Sequence, residues 1–494
     1  MNRPNILFVF SDQHRAQSLG CYGNLDVYSP VFDGFAAESR RYTTCVSTSP
    51  VCVPARGTIL SGLHAWKHRA ITNDLPVDAS VRSIAHALRD AGYSTGYVGK
   101  WHLGGVPRDR AIPADERLGF EEWKAAECTH DYADSWYHDE DEVRHEIDGF
   151  ESGTHTDLAL DFISRHQAAR GSTGEPWALV LSWGPPHDPY DVVPERFRDL
   201  YTGKELALRD NVPEEVALIP AGGGTIGREE IHRRLADYYA QISYLDEQFG
   251  RLLAELDRLG ASEETIVVYT SDHGDMLGSQ GKLMKQLPYD ESILVPLMIR
   301  WPGRIEPGVV SQPIGLVDLA PMLCSLAGAS LGPDRPVTEH DDAQLIYNMV
   351  PCHQAVDRGE TRGWYGIRTG RYTYALWDDG EPFCFFDNES DPLQLRNLFA
   401  DPTDGSEREA GRLQARLEEI LAAADWSVRR WDEVIVGEGY LEAWNESQRS
   451  FGRVELSGEG EGPPEECPDG NAAVCPEASR SPAWRSDSAG QTRP

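Results

Sequence analysis

No apolar run in this 494-residue chain approaches the about 20 consecutive residues that a membrane-spanning helix requires. The run nearest the amino terminus, Ile6 to Phe10 in MNRPNILFVFSDQHR, is also too short for the core of a signal peptide. The chain as given is therefore expected to be cytoplasmic, with no membrane partner. Positive charge is scarce: 46 Lys and Arg stand against 80 Asp and Glu, a formal net charge of -34. Such a field repels phosphate backbones and argues against nucleic acid as a partner. It repels small anions too, so an anion site would have to build local positive charge from a metal, Lys, Arg or helix N-termini. Cysteines are few and odd in number, 9 scattered along the chain, which gives no sign of a disulfide framework and reads most of them as buried thiols. Cys467 and Cys475 stand apart, in a tail rich in Gly, Pro, Glu and Ser.

What is present is a repeated alternation of strand and helix. Five β-branched bursts, NILFVF (5–10), TGYVG (95–99), WALVLSW (177–183), TIVVYTS (265–271) and VPLMIRW (295–301), are separated by helical patterns such as Val81 to Ala91 and Arg233 to Leu259, with Gly260 as the stop. The expected fold class is α/β, a large mostly parallel, mixed sheet sandwiched by helices. Beyond about residue 335, WYGIRTGRYTYALW and PFCFFDNESDP read as a small antiparallel sheet, and Gly411 to Ala424 as a helix packed on it. Residues 1–335 are expected to form the catalytic domain and 336–451 a smaller C-terminal subdomain. The composition of 452–494 predicts a disordered tail.

Four predicted strands lead directly into polar residues: Asp12-Gln13, Lys100-Trp101-His102, His187-Asp188 and Asp272-His273-Gly274-Asp275. Ligands bind at the carboxyl ends of strands in open parallel sheets, so the four clusters are expected to converge. Singly, an aspartate after a strand is more often a helix cap and a histidine more often a satisfied surface or core group. As a set, Asp12, Gln13, Asp272 and His273 offer the oxygen-dominated ligands that suit Ca²⁺ or Mg²⁺, with Mn²⁺ admitted by the histidine. Lys100, His102, His187 and Lys285 add the cationic and proton-donating groups that an anionic transition state requires.

The stretch SPVCVPARG places Cys52 at the expected start of a helix, with Pro54 in its first turn and Arg56 close by. Taken alone this chemistry reads either as a low-pKa thiolate nucleophile or as a buried structural cysteine. The segment also matches the Cys-x-Pro-x-Arg signature of the type I sulfatases, members of the alkaline phosphatase superfamily. With NILFVFSDQHR before it, and GYVGKWHLGG and SDHGDMLGSQGKLMKQLPYDESILVPLMIRWPG after it in the same order, the chain resembles that family over roughly residues 4 to 330. GRYTYALW and FDNESDPLQLRNL resemble its smaller C-terminal subdomain.

The resemblance implies an alkaline-phosphatase-like fold and hydrolysis of a sulfate monoester with one divalent cation, Ca²⁺ before Mg²⁺ or Mn²⁺. It implies that Cys52 is converted to formylglycine by a formylglycine-generating or radical maturating enzyme. One hydroxyl of the hydrated aldehyde attacks sulfur, and the second then helps expel sulfate. Asp12, Gln13, Asp272 and His273 would hold the cation with the modified Cys52, while Arg56 orients its hydroxyls. Lys100 and His102 match the family's Lys-x-His pair, and His187 and Lys285 its sulfate-binding and leaving-group pair, with Lys282 a competitor for the last role. Two positions depart from the family pattern. Gln13 stands where many members have a second aspartate, which keeps a phosphonate or phosphate ester hydrolase open as an alternative. SGLHAWKHR (61–69) replaces a more usual His-containing run, leaving the role of His68 open. A non-catalytic binding protein is the third reading. The substrate is expected to be a small sulfated sugar, its pocket drawn from loops such as Thr129 to Gly153.

Overall fold

The computed structural model describes residues 3–218, 224–333, 342–352, 362–453 and 455–456. The chain forms two compact units, Met1–Trp431 and Asp432–Pro494. The expected domain boundary at 335/336, Cys467, Cys475 and nearly all of the expected tail lie outside the described residues.

In the first unit the main sheet is assembled from β1 (Asn5–Ser11), β2 (Arg40–Val46), β3 (Ser94–Lys100), β4 (Glu122–Ala126), β5 (Trp136–His138), β6 (Arg144–Glu146) and β7 (Trp177–Ser182). After a short hairpin of β8 (Glu215–Ala217) and β9 (Thr225–Gly227), it continues with β10 (Thr265–Ser271), β11 (Leu294–Arg300), β12 (Gly308–Val310) and β13 (Ile314–Gly315). The order is β12-β2-β11-β10-β1-β7-β3-β4-β5-β6, with β13 also on β2. The centre, β10-β1-β7-β3-β4, is parallel throughout, and antiparallel pairs begin at β11 on one side and β5 on the other.

Alternate residues of the central strands enter two cores, which is why these strands read as unbroken apolar runs. Ile6, Phe8 and Phe10 face one side, with Ile59, Leu60, Ile84 and Leu319 from the helices Cys52–Ser61, Ile84–Asp90 and Leu319–Ala327. Leu7 and Val9 face the other, with Phe32, Phe162 and Leu245 from the helices Pro30–Ala37, Glu151–Thr173 and Arg228–Arg258. The sandwiched, mostly parallel sheet is thus as expected.

The differences are local. The helix expected from Val81 starts at Ile84, because Ser83 caps it: its hydroxyl accepts from the His86 amide at 3.3 Å, and the His86 side chain accepts from the Ser83 amide at 3.2 Å. The helix expected from Arg233 begins five residues earlier, at Arg228, where Glu229 and Glu230 favour the positive end of the helix dipole. The run Thr129 to Gly153, read as loop, contains β5, β6 and the first turn of a 23-residue helix.

The smaller sheet is antiparallel as expected, in the order β14 (Ala343–Asn348), β15 (Trp364–Thr369), β16 (Tyr372–Trp377) and β17 (Pro382–Asp387). The helix expected at Gly411 begins at Ser406 and ends at Ala423. Ile346, Trp364, Ala375 and Phe386 pack on Val46, Ile293 and Leu294, so the two sheets share a core. Hydrogen bonds reinforce the junction. The Tyr347 amide donates to the Thr48 carbonyl at 2.8 Å, its hydroxyl accepts from the Ala65 amide at 2.9 Å, and Trp364 Nε1 donates to the Gln286 carbonyl at 2.8 Å. The Gln286 amide donates in turn to the Pro50 carbonyl at 3.2 Å. In the second unit, Leu441–Ser450 is helical, and the Asn445 side chain bonds both the amide and the carbonyl of Leu456. No helix among the described residues is long and apolar enough to cross a membrane.

Gly99, at the carboxyl end of β3, has φ 103°, and a Cβ there would lie 2.0 Å from the Ser182 carbonyl oxygen of β7. Gly99→Ala is therefore expected to destabilise the protein by about 2 kcal/mol or more. An unchanged urea midpoint for this variant would contradict the packing described.

Candidate active site

The carboxyl ends of β10, β1, β7 and β3 lie side by side, and the residues that follow them meet above the sheet. Val51 is extended, and Cys52 opens the helix Cys52–Ser61 with Pro54 at its third position. The Val53 amide, unsatisfied within the helix, donates to Asn73 Oδ1 at 3.1 Å. His68 props the same helix from behind. Its Nε2 lies 3.2 Å from Thr58 Oγ1 and its Nδ1 accepts from the Ala70 amide at 3.2 Å. Burial pushes its pKa down to about 3, so it serves as a neutral strut.

Arg56 is fully buried beneath Cys52. It contacts Asp12 Oδ2 at 3.0 Å, Asp272 Oδ2 at 3.1 Å, the Lys100 carbonyl at 2.9 Å and Ser182 Oγ at 2.8 Å. Asp12, Cys52, Asp272 and His273 each present a ligand atom, all within 4.8 Å of one another. Cys52 Sγ is 3.1 Å from His273 Nε2 and 3.7 Å from Asp12 Oδ1. His273 Nδ1 donates to the Gly274 carbonyl at 2.9 Å, which leaves the Nε2 lone pair facing the cluster.

The two carboxylates titrate in opposite directions. Burial and the nearby Cys52 push Asp12 up, but Lys100, His187 and Arg56 together hold it well below its usual range. Burial and the charge of Asp12 raise Asp272. Two buried carboxylates, a thiol and an oriented imidazole form a donor set suited to a divalent cation. Gln13 is placed differently from the other expected ligands. At φ 66°, its amide nitrogen donates to Asp275 Oδ2 at 2.6 Å, while its amide oxygen accepts from Lys285 Nζ at 2.7 Å. Asp275 also accepts from the Tyr190 hydroxyl.

Positive groups surround the cluster. Lys100 Nζ lies 2.7 Å from Asp12 Oδ2, and Lys285 Nζ 2.6 Å from His187 Nε2. Burial raises the Cys52 thiol, but Lys285, His273 and Lys100 overcome that effect and hold it well below the usual thiol range. His187 Nδ1 donates to the Asp188 carbonyl at 2.8 Å, so its Nε2 accepts from Lys285. Lys282, the competitor, is exposed, whereas Lys285 is buried.

His102 is held by its backbone in the left-handed region, φ 55°. Its amide donates to the Glu127 carbonyl at 2.6 Å, and the buried Glu127 side chain accepts from the Gly104 and Gly105 amides at 2.8 and 2.9 Å. The His102 Nε2 lies 3.9 Å from Asp74 Oδ1, and Asp74 is gripped through both oxygens by Arg108.

All ten sequence-predicted positions thus lie at one end of the sheet. Four further residues join them: Asp275 from the Asp272-His273-Gly274-Asp275 cluster and His130 from the expected pocket run Thr129 to Gly153, to neither of which the sequence reading gave a role, and Asp74 and Cys128, which it passed over. Asp275 orients the Gln13 amide, and Asp74 faces His102. Cys128 and His130 follow β4, a fifth strand end, with Cys128 Sγ 3.5 Å from His130 Nε2. The β4 segment EEWKAAECTH has few β-branched residues, so its strand carried little signal.

Comparison with known proteins bears on the family of the chain. Residues 4–329 match the family described as Sulfatase, and residues 278–423 match N-sulphoglucosamine sulphohydrolase, C-terminal. An ulvan-active sulfatase of Formosa agariphila is 34% identical over 438 residues, covering 85% of this chain and 81% of that protein. A choline-sulfatase of Rhizobium meliloti is 31% identical over 477 residues, covering 88% and 89%. A solved structure of a protein in complex with its substrate D-glucosamine-2-N,6-O-disulfate superposes with a TM-score of 0.74 at 22% identity, covering 86% of this chain and 98% of that one. The chain belongs to the sulfatase family of the alkaline phosphatase superfamily and is a sulfatase enzyme.

Proposed function

We propose that this sulfatase hydrolyses the sulfate monoester of a small sulfated sugar, using Cys52 converted to formylglycine and one divalent cation, Ca²⁺ before Mg²⁺ or Mn²⁺. The observation that carries the reading is the position of Cys52, at a helix N-terminus between an acidic donor set and four cationic or imidazole side chains. Asp12, Asp272, His273 and the converted Cys52 would hold the cation, and the Gln13 amide oxygen, now on Lys285, is the remaining expected donor. The cation supplies Lewis-acid polarisation at the nucleophile and at sulfate oxygen. A mature side chain at position 52 supplies a hydroxyl and, after transfer, a second hydroxyl that releases sulfate.

The other roles follow from chemistry at each atom. Arg56, fixed through several hydrogen bonds, orients the nucleophile without moving during the reaction. Lys100 offers its charge to the sulfate, and His102 takes the proton of the second hydroxyl. Lys285 and His187 share a proton along the 2.6 Å contact and deliver it to the departing oxygen. The ulvan-active relative and the sugar disulfate bound by the structural neighbour favour sulfated sugars over the choline ester of the second relative. The neutral Gln13 keeps phosphonate monoesters as the second reading, since less negative charge surrounds the anion there.

A peptide mass map of protein from its own host should show the Cys52 peptide lighter by the difference between a CH₂SH and a CHO group. An intact thiol in fully active protein would exclude the formylglycine mechanism. Chelation with EDTA should abolish turnover and lower the melting temperature, and Ca²⁺ at about 100 times its Kd should restore about 2.7 kcal/mol of stability. A melting curve indifferent to both additions would speak against a resident cation.

The leaving-group assignment predicts asymmetry between substrates. Lys285→Ala and His187→Ala should each lower kcat/KM for an alkyl sulfate by about 100- to 10,000-fold, the range of general acid catalysis. The loss should be much smaller for 4-nitrophenyl sulfate, whose alcohol leaves without a proton. Equal losses on both substrates would remove the proton-donor role from this pair.

A further inference from the structure

His130 sits where the reaction centre meets solvent. Its ring stacks on His187 with centroids 4.3 Å apart and planes at 21°. Its Nε2 faces inward, 3.5 Å from both Lys100 Nζ and Cys128 Sγ. Lys100 is ion-paired to Asp12 and stays charged, because burial, which lowers its pKa, is outweighed by Asp12 and by the cysteines Cys128 and Cys52. Lys100 and Cys128 thus both meet the ring at Nε2, inside the site, and Nδ1 is the nitrogen left for a ligand. Burial also disfavours the doubly protonated ring and lowers its pKa to about 4.

The Nδ1 edge is the free one. Among the described residues it has no protein hydrogen-bond partner, it is not one of the enclosed unpaired atoms, and the residue is half-buried where His187 is buried. The result is a neutral imidazole with one free hydrogen-bonding nitrogen at the mouth of the site. It lies against the imidazole that faces the departing oxygen.

We propose that His130 is a specificity-determining, substrate-contacting residue: its Nδ1 hydrogen-bonds a hydroxyl on the carbon next to the one that bears the sulfate ester, a group that can either donate or accept. The inference rests on the sulfate-ester reading above. It selects alcohols with vicinal oxygens, as in sugars, over alcohols without them. Because the ring is neutral, it adds no charge for a second sulfate group, and the preference is for a hydroxyl.

The test uses two aryl esters that differ in that one group, catechol monosulfate and phenyl sulfate. The mature, metal-loaded enzyme should prefer catechol monosulfate in kcat/KM by about tenfold, the worth of one neutral hydrogen bond. His130→Phe keeps a flat ring against His187 and removes the hydrogen-bonding nitrogens. It should bring the ratio of kcat/KM for the two esters, measured in the same variant, close to one. His130→Asn returns an N–H near the Nδ1 position and should restore most of the preference. A preference that survives in His130→Phe, or that is absent from the parent enzyme, overturns the proposal. So does an equal loss on both esters, which would make His130 a support for His187 only. If the parent enzyme turns over neither ester, the same ratio is read on trans-2-hydroxycyclohexyl sulfate and cyclohexyl sulfate; release of sulfate from none of the four is the failure of the sulfate-ester reading, a result distinct from turnover without preference.

Discussion

The site depends on one buried guanidinium. Arg56 reaches groups at the carboxyl ends of all four convergent strands: Asp12 after β1, the Lys100 carbonyl of β3, Ser182 of β7 and Asp272 after β10. A lysine could not hold these directions at once, because its three donors radiate from a single point while the guanidinium presents a rigid planar fork. Arg56 also gives a permanent cation to two carboxylates that share a water-poor space. Removing one partner of such a buried set typically costs about 3–5 kcal/mol, because an uncompensated charge remains behind. The nucleophile's position is thereby set by the same contacts that align the strand ends.

The charge of the molecule makes this local arrangement necessary. A chain with a net charge of -34 offers an approaching sulfate ester a repulsive field, which is screened over about 8 Å at physiological salt. Within that distance Lys100, Lys285, Arg56 and the helix amides around Cys52 dominate. The two roles are separated in space: the outer acidic surface favours solubility, and the buried cations recognise the anion.

Much of this was legible from the residues. The central strands announced themselves because burial on both faces forces continuous apolar runs, and the polar groups directly after them marked the open end of the sheet. The helix Ile84–Asp90 was misjudged by three residues because Ser83 and His86 form a reciprocal cap, in which histidine takes the place of the more usual Glu or Gln. β2, β4 and β14 were missed for a different reason. RRYTTCV, EWKAA and AQLIYN are short and mixed in polarity, and they gain strand character from neighbours that are distant in sequence. Missing β4 also hid Cys128, and left His130 as one unassigned residue of the expected pocket run Thr129 to Gly153. No spacing along the chain could have told that Gln13 turns its amide oxygen toward Lys285, since Asp275 and Tyr190, which fix that orientation, come from separate segments.

The bonds joining the two sheets bear on how the protein is made. Tyr347 holds the Thr48 carbonyl and the Ala65 amide on either side of the nucleophile helix, and Trp364 holds the Gln286 carbonyl beside Lys285. A ribosome that has completed the first 300 or so residues has synthesised every side chain of the site, yet not the strands that brace two of its walls. Vectorial synthesis therefore leaves an interval in which Cys52 already exists but its surroundings are unfinished, and any enzyme that must reach this thiol, 1% exposed in the completed fold, meets it most readily then.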